Sequence, residues 1–393
     1  MLNASYWLLL IGGWLVCAAW VYHAIRLALF VYRTPKLSDE NLRPGVDELP
    51  NVCVIVPARD EGRAIERCLS TLAAQDYPRL HIVAVNDRSA DETGAIMERI
   101  AAVSNRVTVV HIEDLPDGWL GKNHANWIGA CHEAARDCDY LLFTDGDVWF
   151  REDCIGRAVT HALGHRLDHL CIAPDMAAHG FLEKAMCHFF GIAFMIGSRV
   201  WHVANPARLD AFIGVGAFNF VRRKVYDQFG GHEALRLEVL DDFKLGKLMK
   251  AAGGRCSLLM SYGAVSVRWQ AGLRGIVLGL EKNAVAGCQF SAVRVAWTLA
   301  ILLVGFVSPT VIGLAAPGAV RWGWLVTAAL QAVSLAWAGY AAGVTLLIGF
   351  AFPLCAAAMF WALLRAAFLT LRRGGIVWRG TFHTLDSLRR GMV

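Results

Sequence analysis

Charge is scarce in this chain. Asp, Glu, Lys and Arg make up 18% of its 393 residues, while apolar types reach 56%; an ordinary soluble domain carries about 25% charged residues. Cys-x-x-Cys spacing is missing altogether, the eleven cysteines standing singly along the chain. That argues against a zinc or disulfide framework and fits small buried apolar residues in a reducing compartment. No basic run is interleaved with aromatics, so the net charge of +5 carries no nucleic-acid footprint. A basic face toward anionic lipid suits it better.

The apolar excess is concentrated in residues 7–32 and from about residue 294 onward. Trp7 to Phe30 is long enough to span a bilayer. Arg26, Arg33 and Lys36 flank its C-terminal end and residues 1–6 carry no side-chain charge, so the positive-inside rule puts residue 33 onward in the cytoplasm. The stretch is too long for a cleaved signal peptide and lacks a basic start, which makes it an anchor in the inner membrane. Further apolar segments cover roughly 294–316, 322–342 and 344–371, punctuated by Pro317-Gly318 and Gly343, with Pro309 and Pro353 inside as kink candidates. Three full spans leave the tail outside, whereas its Arg372, Arg373, Arg379, Arg389 and Arg390 favour the inside. A re-entrant or interfacial segment would reconcile the two.

The middle of the chain alternates strands and helices. Val52 to Val56 reads as a strand covered on both faces, because its apolar run shows no alternation. A helix follows with Ile65, Cys68, Leu69 and Leu72 on one face. His81 to Val85 is a second strand, ending in Asn86-Asp87, and Ser89 with Glu92 has the spacing of a capping box. Val107 to Ile112 is a third strand, Asn123 to Glu133 a helix, and Tyr140 to Thr144 a fourth strand. This rhythm implies βαβ units and a mostly parallel α/β sheet. Residues 181–204 are apolar with Glu183, Lys184 and Arg199 set among them, which suits a helix on the membrane surface or one buried in a core.

In such a sheet, ligands bind beyond the carboxyl ends of the strands, and acids collect there. Asp60 and Glu61 follow the first strand, Asp87 ends the second, and Asp145-Gly-Asp147 follows the fourth. Asp87 can accept hydrogen bonds from a base or ribose. Asp145 and Asp147 can hold a hard divalent cation together with substrate phosphates, although Asp-Gly-Asp is also ordinary turn chemistry. Asp241 and Asp242 open a helix that Gly253-Gly254 stops. The dipole there favours a charged carboxylate fit to act as a base, unless the pair serves only as a cap. Lys122 stands at a helix start, where a cation and backbone N–H groups can meet a phosphate. Arg268-Trp269 closes the soluble part with a planar fork for phosphate and a face for a sugar or lipid; a solvated cation beside a core aromatic is the plain alternative.

Together these pieces resemble membrane-bound family 2 glycosyltransferases of GT-A type, near the ceramide glucosyltransferase and hopanoid-associated branches. The resemblance runs through Val56-Pro-Ala-Arg-Asp-Glu61, Val85-Asn-Asp-Arg-Ser-Ala-Asp-Glu-Thr93, Gly118-Trp-Leu-Gly-Lys-Asn-His-Ala125, Asp145-Gly-Asp147, Gly214-Val-Gly-Ala-Phe218, Leu240-Asp-Asp242 and Arg268-Trp269, with Ile376-Val-Trp-Arg-Gly380 similar to the C-terminal end of ceramide-type enzymes. It implies an inverting transfer of a hexose from a nucleoside-diphosphate sugar, UDP-hexose foremost, to a membrane lipid hydroxyl. Pro57, Arg59, Glu61 and Asp87 would hold the nucleoside. Lys122, Asp145 and Arg268 would meet the diphosphate, and Asp145 with Asp147 would bind Mg²⁺ or Mn²⁺. Asp242 would be the general base, with Asp241 beside it in place of the family's Glu. Gly216, Phe218 and Trp269 would face the acceptor. Val265 stands where the family's terminal signature has Gln or Arg, so only Arg268 and Trp269 of that signature carry over.

The resulting division is an anchor at 1–33, a linker at 34–50, a cytoplasmic transferase domain at 51–270, an interfacial segment at 271–293, membrane helices at 294–371 and a basic tail at 372–393. Transfer to a polyprenyl phosphate, polysaccharide synthesis and a silent membrane scaffold are the competing readings. Transport is disfavoured because ionisable residues are scarce in the apolar segments, Arg365 being the clear charge in the last.

Overall fold

The computed structural model describes residues 4–37, 49–270, 272–378 and 381–393. Most of the expected linker, Ala271, and Arg379-Gly380 of the expected C-terminal motif and tail lie outside the described residues. The chain forms two compact units: Thr34–Ala177, Ser198–Arg268 and Arg390–Val393 in one, and Met1–Arg33, Ala178–Gly197 and Trp269–Arg389 in the other.

The first unit is an α/β domain. Its strands in chain order are β1 Val52–Ala58, β2 Leu80–Asp87, β3 Val107–Ile112, β4 Tyr140–Phe143, β5 Val148–Phe150, β6 His169–Ala173, β7 Asp175–Met176, β8 Asn219–Arg222, β9 Cys256–Met260 and β10 Val265–Val267. Seven of them form one sheet, ordered β3-β2-β1-β4-β8-β6-β9, and β5-β10-β7 form a second. In the large sheet only β8 runs against its neighbours, β4 and β6, so it is mostly parallel, as the sequence pattern implies. β1 is buried at every residue because both its faces are covered. Val54 and Val56 join one core with Ile65, Leu69 and Ile82, while Cys53 and Ile55 join another with Val83, Val85 and Leu141. Strand and helix alternate at a rhythm that returns the carboxyl ends of the parallel strands to one edge. Gly129 lets the Gly121–Cys131 helix close on that sheet, since a Cβ there would lie 2.5 Å from Ile55 Cγ2.

The Ser89–Glu92 capping box does not form. The helix begins at Thr93, which leaves Ser89 in the preceding loop, and Glu92 makes no side-chain cap bond. Asp91 Oδ1 accepts the Thr93 N–H instead, at 3.0 Å.

Among the described residues, the second unit contains four helical segments long and apolar enough to cross a membrane: Ala4–Arg33, Ala292–Ala315, Val320–Ala341 and Leu346–Arg373. Small residues let the first and third approach: a Cβ on Gly323 would lie 2.8 Å from the Gly13 carbonyl carbon. Trp324 Nε1 donates to Leu9 O at 2.9 Å across the same contact. Pro309 and Pro353 each fall in the first turn of a helical piece, Ser308–Ala315 and Phe352–Arg373, where a missing N–H costs little. A π turn at Leu303–Val307 precedes Pro309, and the nearby Gly305 carbonyl accepts from Trp20 Nε1 at 2.7 Å and Gln331 Nε2 at 2.8 Å. Phe181–Gly197, drawn from within the stretch read as the transferase domain, groups with these helices. Its Phe189 is buried against Phe352, ring centroids 5.0 Å apart.

Candidate active site

The loops after β1 and β2 are laced together at the carboxyl edge of the sheet. Asp60, in the left-handed region at φ 56°, donates its N–H to Ser89 Oγ at 3.1 Å, and its Oδ1 accepts from the Ala90 N–H at 2.8 Å. Glu61 N–H donates to Thr93 Oγ1 at 2.8 Å and Gly62 N–H to Asp91 Oδ2 at 2.9 Å. Arg59 is half-buried beside Asp60, and Pro57 still lies in β1. Asp87 is buried at the end of β2, paired with Arg88 Nε at 2.8 Å. The first turn of the Gly121–Cys131 helix abuts it. A Cβ at Gly121 would lie 2.4 Å from Asp87 Oδ2, so glycine is what allows the helix N-terminus to approach the carboxylate, a contact its dipole favours.

The next residue of that helix, Lys122, reaches across the edge. Its Nζ lies 2.7 Å from Asp145 Oδ1 and 3.5 Å from Asp241 Oδ2. Asp145 is fixed in turn by its N–H, which donates to Gly216 O at 3.1 Å. A Cβ at Gly216 would lie 2.5 Å from Asp145 Oδ2 and 3.1 Å from Asp242 Oδ2, so those two carboxylates face one another over a position only glycine can fill. Asp242, partly exposed at the start of the Asp241–Ala251 helix, accepts the Phe243 N–H on Oδ1 at 2.7 Å. The fold therefore gathers Asp87, Lys122, Asp145, Asp147, Gly216, Asp241 and Asp242 from five separate stretches of sequence.

Two expected contacts differ. Phe218, read as an acceptor contact, is fully buried between Phe150 and Phe220, because it leads directly into β8 on the core side. Trp269 belongs to the apolar unit, where its ring stacks on Phe190 with centroids 4.3 Å apart; Arg268 is exposed at the end of the α/β unit.

The electrostatics follow from this crowding. Burial works against the Lys122 charge, but Asp145, Asp241 and Asp242 outweigh it and hold the ammonium protonated. Burial, then Asp145 and Glu61, push the Asp147 carboxyl up to about 7. Asp242 is also pushed up, by burial and by Asp145, with Lys122 opposing. The helix dipole invoked from sequence is thus outweighed at Asp242, and the result is a stronger base than a solvated aspartate. Asp145 and Asp147 offer hard oxygen donors, and among the described residues no group of three or more His, Cys, Asp or Glu could hold a metal ion. A cation here would need further oxygens from a ligand, which matches the chemistry of Mg²⁺ with phosphates.

Two asparagines hold the site in register. Asn123 Nδ2 donates to Glu238 O at 2.9 Å and also to Leu235 O, tying the Lys122 helix to the segment that leads into Asp241. Asn219 Nδ2 donates to Asp242 O at 3.1 Å, and its Oδ1 lies 2.7 Å from His169 Nε2. Both are buried, a state no local pattern announces.

Residues 53–230 match the family described as Glycosyl transferase family 2. The 4,4'-diaponeurosporenoate glycosyltransferase of Staphylococcus aureus (strain USA300) is 24% identical over 265 residues, covering 66% of this chain and 68% of that protein. Among solved structures, mannosyltransferase PcManGT from Pyrobaculum calidifontis, in complex with GDP-Man and Mn²⁺, aligns with a TM-score of 0.51 at 19% identity, over 92% of this chain and 98% of that one. The mostly parallel α/β sheet is a GT-A-like fold. The similarity to glycosyl transferase family 2 thus falls on the α/β unit that holds the acidic site.

Proposed function

We propose that this protein transfers a hexose from a nucleoside-diphosphate sugar to a hydroxyl of a membrane lipid, with inversion at the anomeric carbon. The observation that carries the reading is the meeting of Asp145 and Asp242 over Gly216, with Lys122 bonded to Asp145. Asp87 and the Pro57–Glu61 loop hold the nucleoside. Asp145 and Asp147 take Mg²⁺ or Mn²⁺, which when bound neutralises the diphosphate as it leaves; the Mn²⁺ bound by PcManGT supports that assignment. Asp242 accepts the proton of the attacking hydroxyl, and a raised carboxyl suits that role. Asp241 keeps Lys122 aimed at the leaving group, and the ammonium opposes the charge that develops there. Arg268 contributes to the donor side and Gly216 to the acceptor side.

Arg26, Arg33 and Lys36 favour a cytoplasmic α/β unit. The apolar helices and the relative named for a carotenoid acid support a lipid acceptor. That name also favours a second reading, a carboxylate acceptor, which would attack without a base. The test is purified protein with UDP- and GDP-hexoses, Mn²⁺ and membrane lipid. Release of one nucleoside diphosphate with formation of an inverted glycolipid supports the reading. No release with any donor, or a retained anomer, overturns it.

A further inference from the structure

The apolar unit holds a second charged centre. Glu281, in the Gly272–Gly287 helix, pairs with two arginines of the Phe352–Arg373 helix: Arg365 Nη1 at 2.6 Å from Oε2 and Arg373 Nη1 at 2.8 Å from Oε1. One carboxylate shared by two guanidiniums leaves excess positive charge. The Arg373 pair borders a cleft of about 210 Å³ lined by Leu278, Glu281, Lys282, Thr370, Arg373 and the strand residues 375–377. Lys282 adds another cation there, its Nζ 4.0 Å from the Trp378 ring centroid. Gly374, at φ 67°, caps the helix and turns the chain into that strand.

Position and rim narrow the ligand. The cleft lies where a helix apolar enough to cross a membrane ends in Arg372 and Arg373, the level at which lipid headgroups sit. Its mouth is apolar: Leu278 is 47% exposed and Val377 52%, and Val377 pairs across the strand hairpin with Phe382, itself 49% exposed. A free anion has no use for such a rim, whereas a lipid brings acyl chains to it. Arginine forks suit phosphate oxygens, and cations at a membrane surface draw anionic lipid.

We propose that this cleft binds the phosphate headgroup of an anionic phospholipid, with Arg373 and Lys282 on the phosphate and Leu278 and Val377 against the chains. The full chain, purified in an uncharged detergent, would be probed with phosphatidylglycerol, phosphatidylcholine and inorganic phosphate, reading lipid retained by native mass spectrometry and the shift in Tm. Retention of phosphatidylglycerol over phosphatidylcholine, with a raised Tm, is expected. Lys282→Gln with Arg373→Gln should weaken that retention by at least about tenfold. Val377→Asp, at an exposed position where folding is spared, should weaken it too, while Glu281→Gln should keep or strengthen it by removing negative charge. Equal retention of both lipids, retention unaffected by the cation and Val377 variants, or an equal Tm shift from inorganic phosphate would overturn the proposal.

Discussion

Replacing Lys122 by methionine removes the ammonium that faces Asp145 and Asp241 at 2.7 and 3.5 Å while keeping much of the side chain's bulk. Removing one partner of a fully buried ion pair costs about 3–5 kcal/mol. Here Lys122 is 21% exposed and Asp145 39%, so solvent screening reduces the expected loss to about 1–3 kcal/mol. That corresponds to roughly 2–10 °C in the Tm of a domain of this size. The loss should depend on pH, with a definite sign. Asp147, pushed up to about 7, and Asp242, also raised, destabilise the fold when ionised and less when protonated, and Lys122 restrains both shifts. Without Lys122 the penalty should therefore be larger at pH 8 than at pH 5. Mn²⁺ should restore part of it at pH 8, by supplying positive charge to the same carboxylates. Thermal unfolding of wild type and Lys122→Met at both pH values, with and without Mn²⁺, checks this. An equal Tm loss at both pH values with no recovery in Mn²⁺ would refute the reasoning and reduce Lys122 to a screened surface pair.

Gly216→Ala places a methyl 2.5 Å from Asp145 Oδ2 and 3.1 Å from Asp242 Oδ2; steady-state kinetics should show turnover falling about 100-fold, the scale of an ångström's misplacement, with little change in Tm. Asn123→Ala strands the buried Leu235 and Glu238 carbonyls and should cost about 1–3 kcal/mol in chemical denaturation. Burial holds His169 down at about 4 and His232 at about 3, so the unfolded chain binds more protons below the usual histidine value. Their stabilisation is full above pH ~6.5 and falls as pH drops toward 4, by up to about 1.4 kcal/mol per unit for each histidine. Asp147 acts in the opposite sense between about 4 and 7, so urea midpoints against pH are best compared in an Asp147→Asn background, where His169→Gln should flatten the acid limb.

The elements legible in the sequence were those whose burial is written in composition. β1 and β4 are short runs of apolar residues because both faces are covered, and the helix of Ile65, Cys68, Leu69 and Leu72 carries its buried face in its spacing. Strand-end placement brought out Asp87, Asp145 and Asp147 for the same reason. What local pattern does not carry depends on distant partners. Ser89 has capping chemistry, yet its hydroxyl serves Asp60. Phe218 sits in a glycine-flanked stretch that resembles a pocket lining, yet its ring belongs to the core. Lys122 was read as a phosphate contact, and only the fold brings Asp241 to it from over a hundred residues away. Asn123 and Asn219 gave no signal, since a buried asparagine and a solvated one are the same letter.

In the proposed function, Asp242 is the base that activates the acceptor. Single-turnover transfer by Asp242→Asn, measured beside calorimetric binding of the donor with Mn²⁺, tests it most directly. The predicted result is donor affinity within a few-fold of wild type and a transfer rate lower by a factor on the order of 10²–10⁴, the usual contribution of a positioned base. Transfer at the wild-type rate would contradict it and point to an acceptor that attacks already ionised.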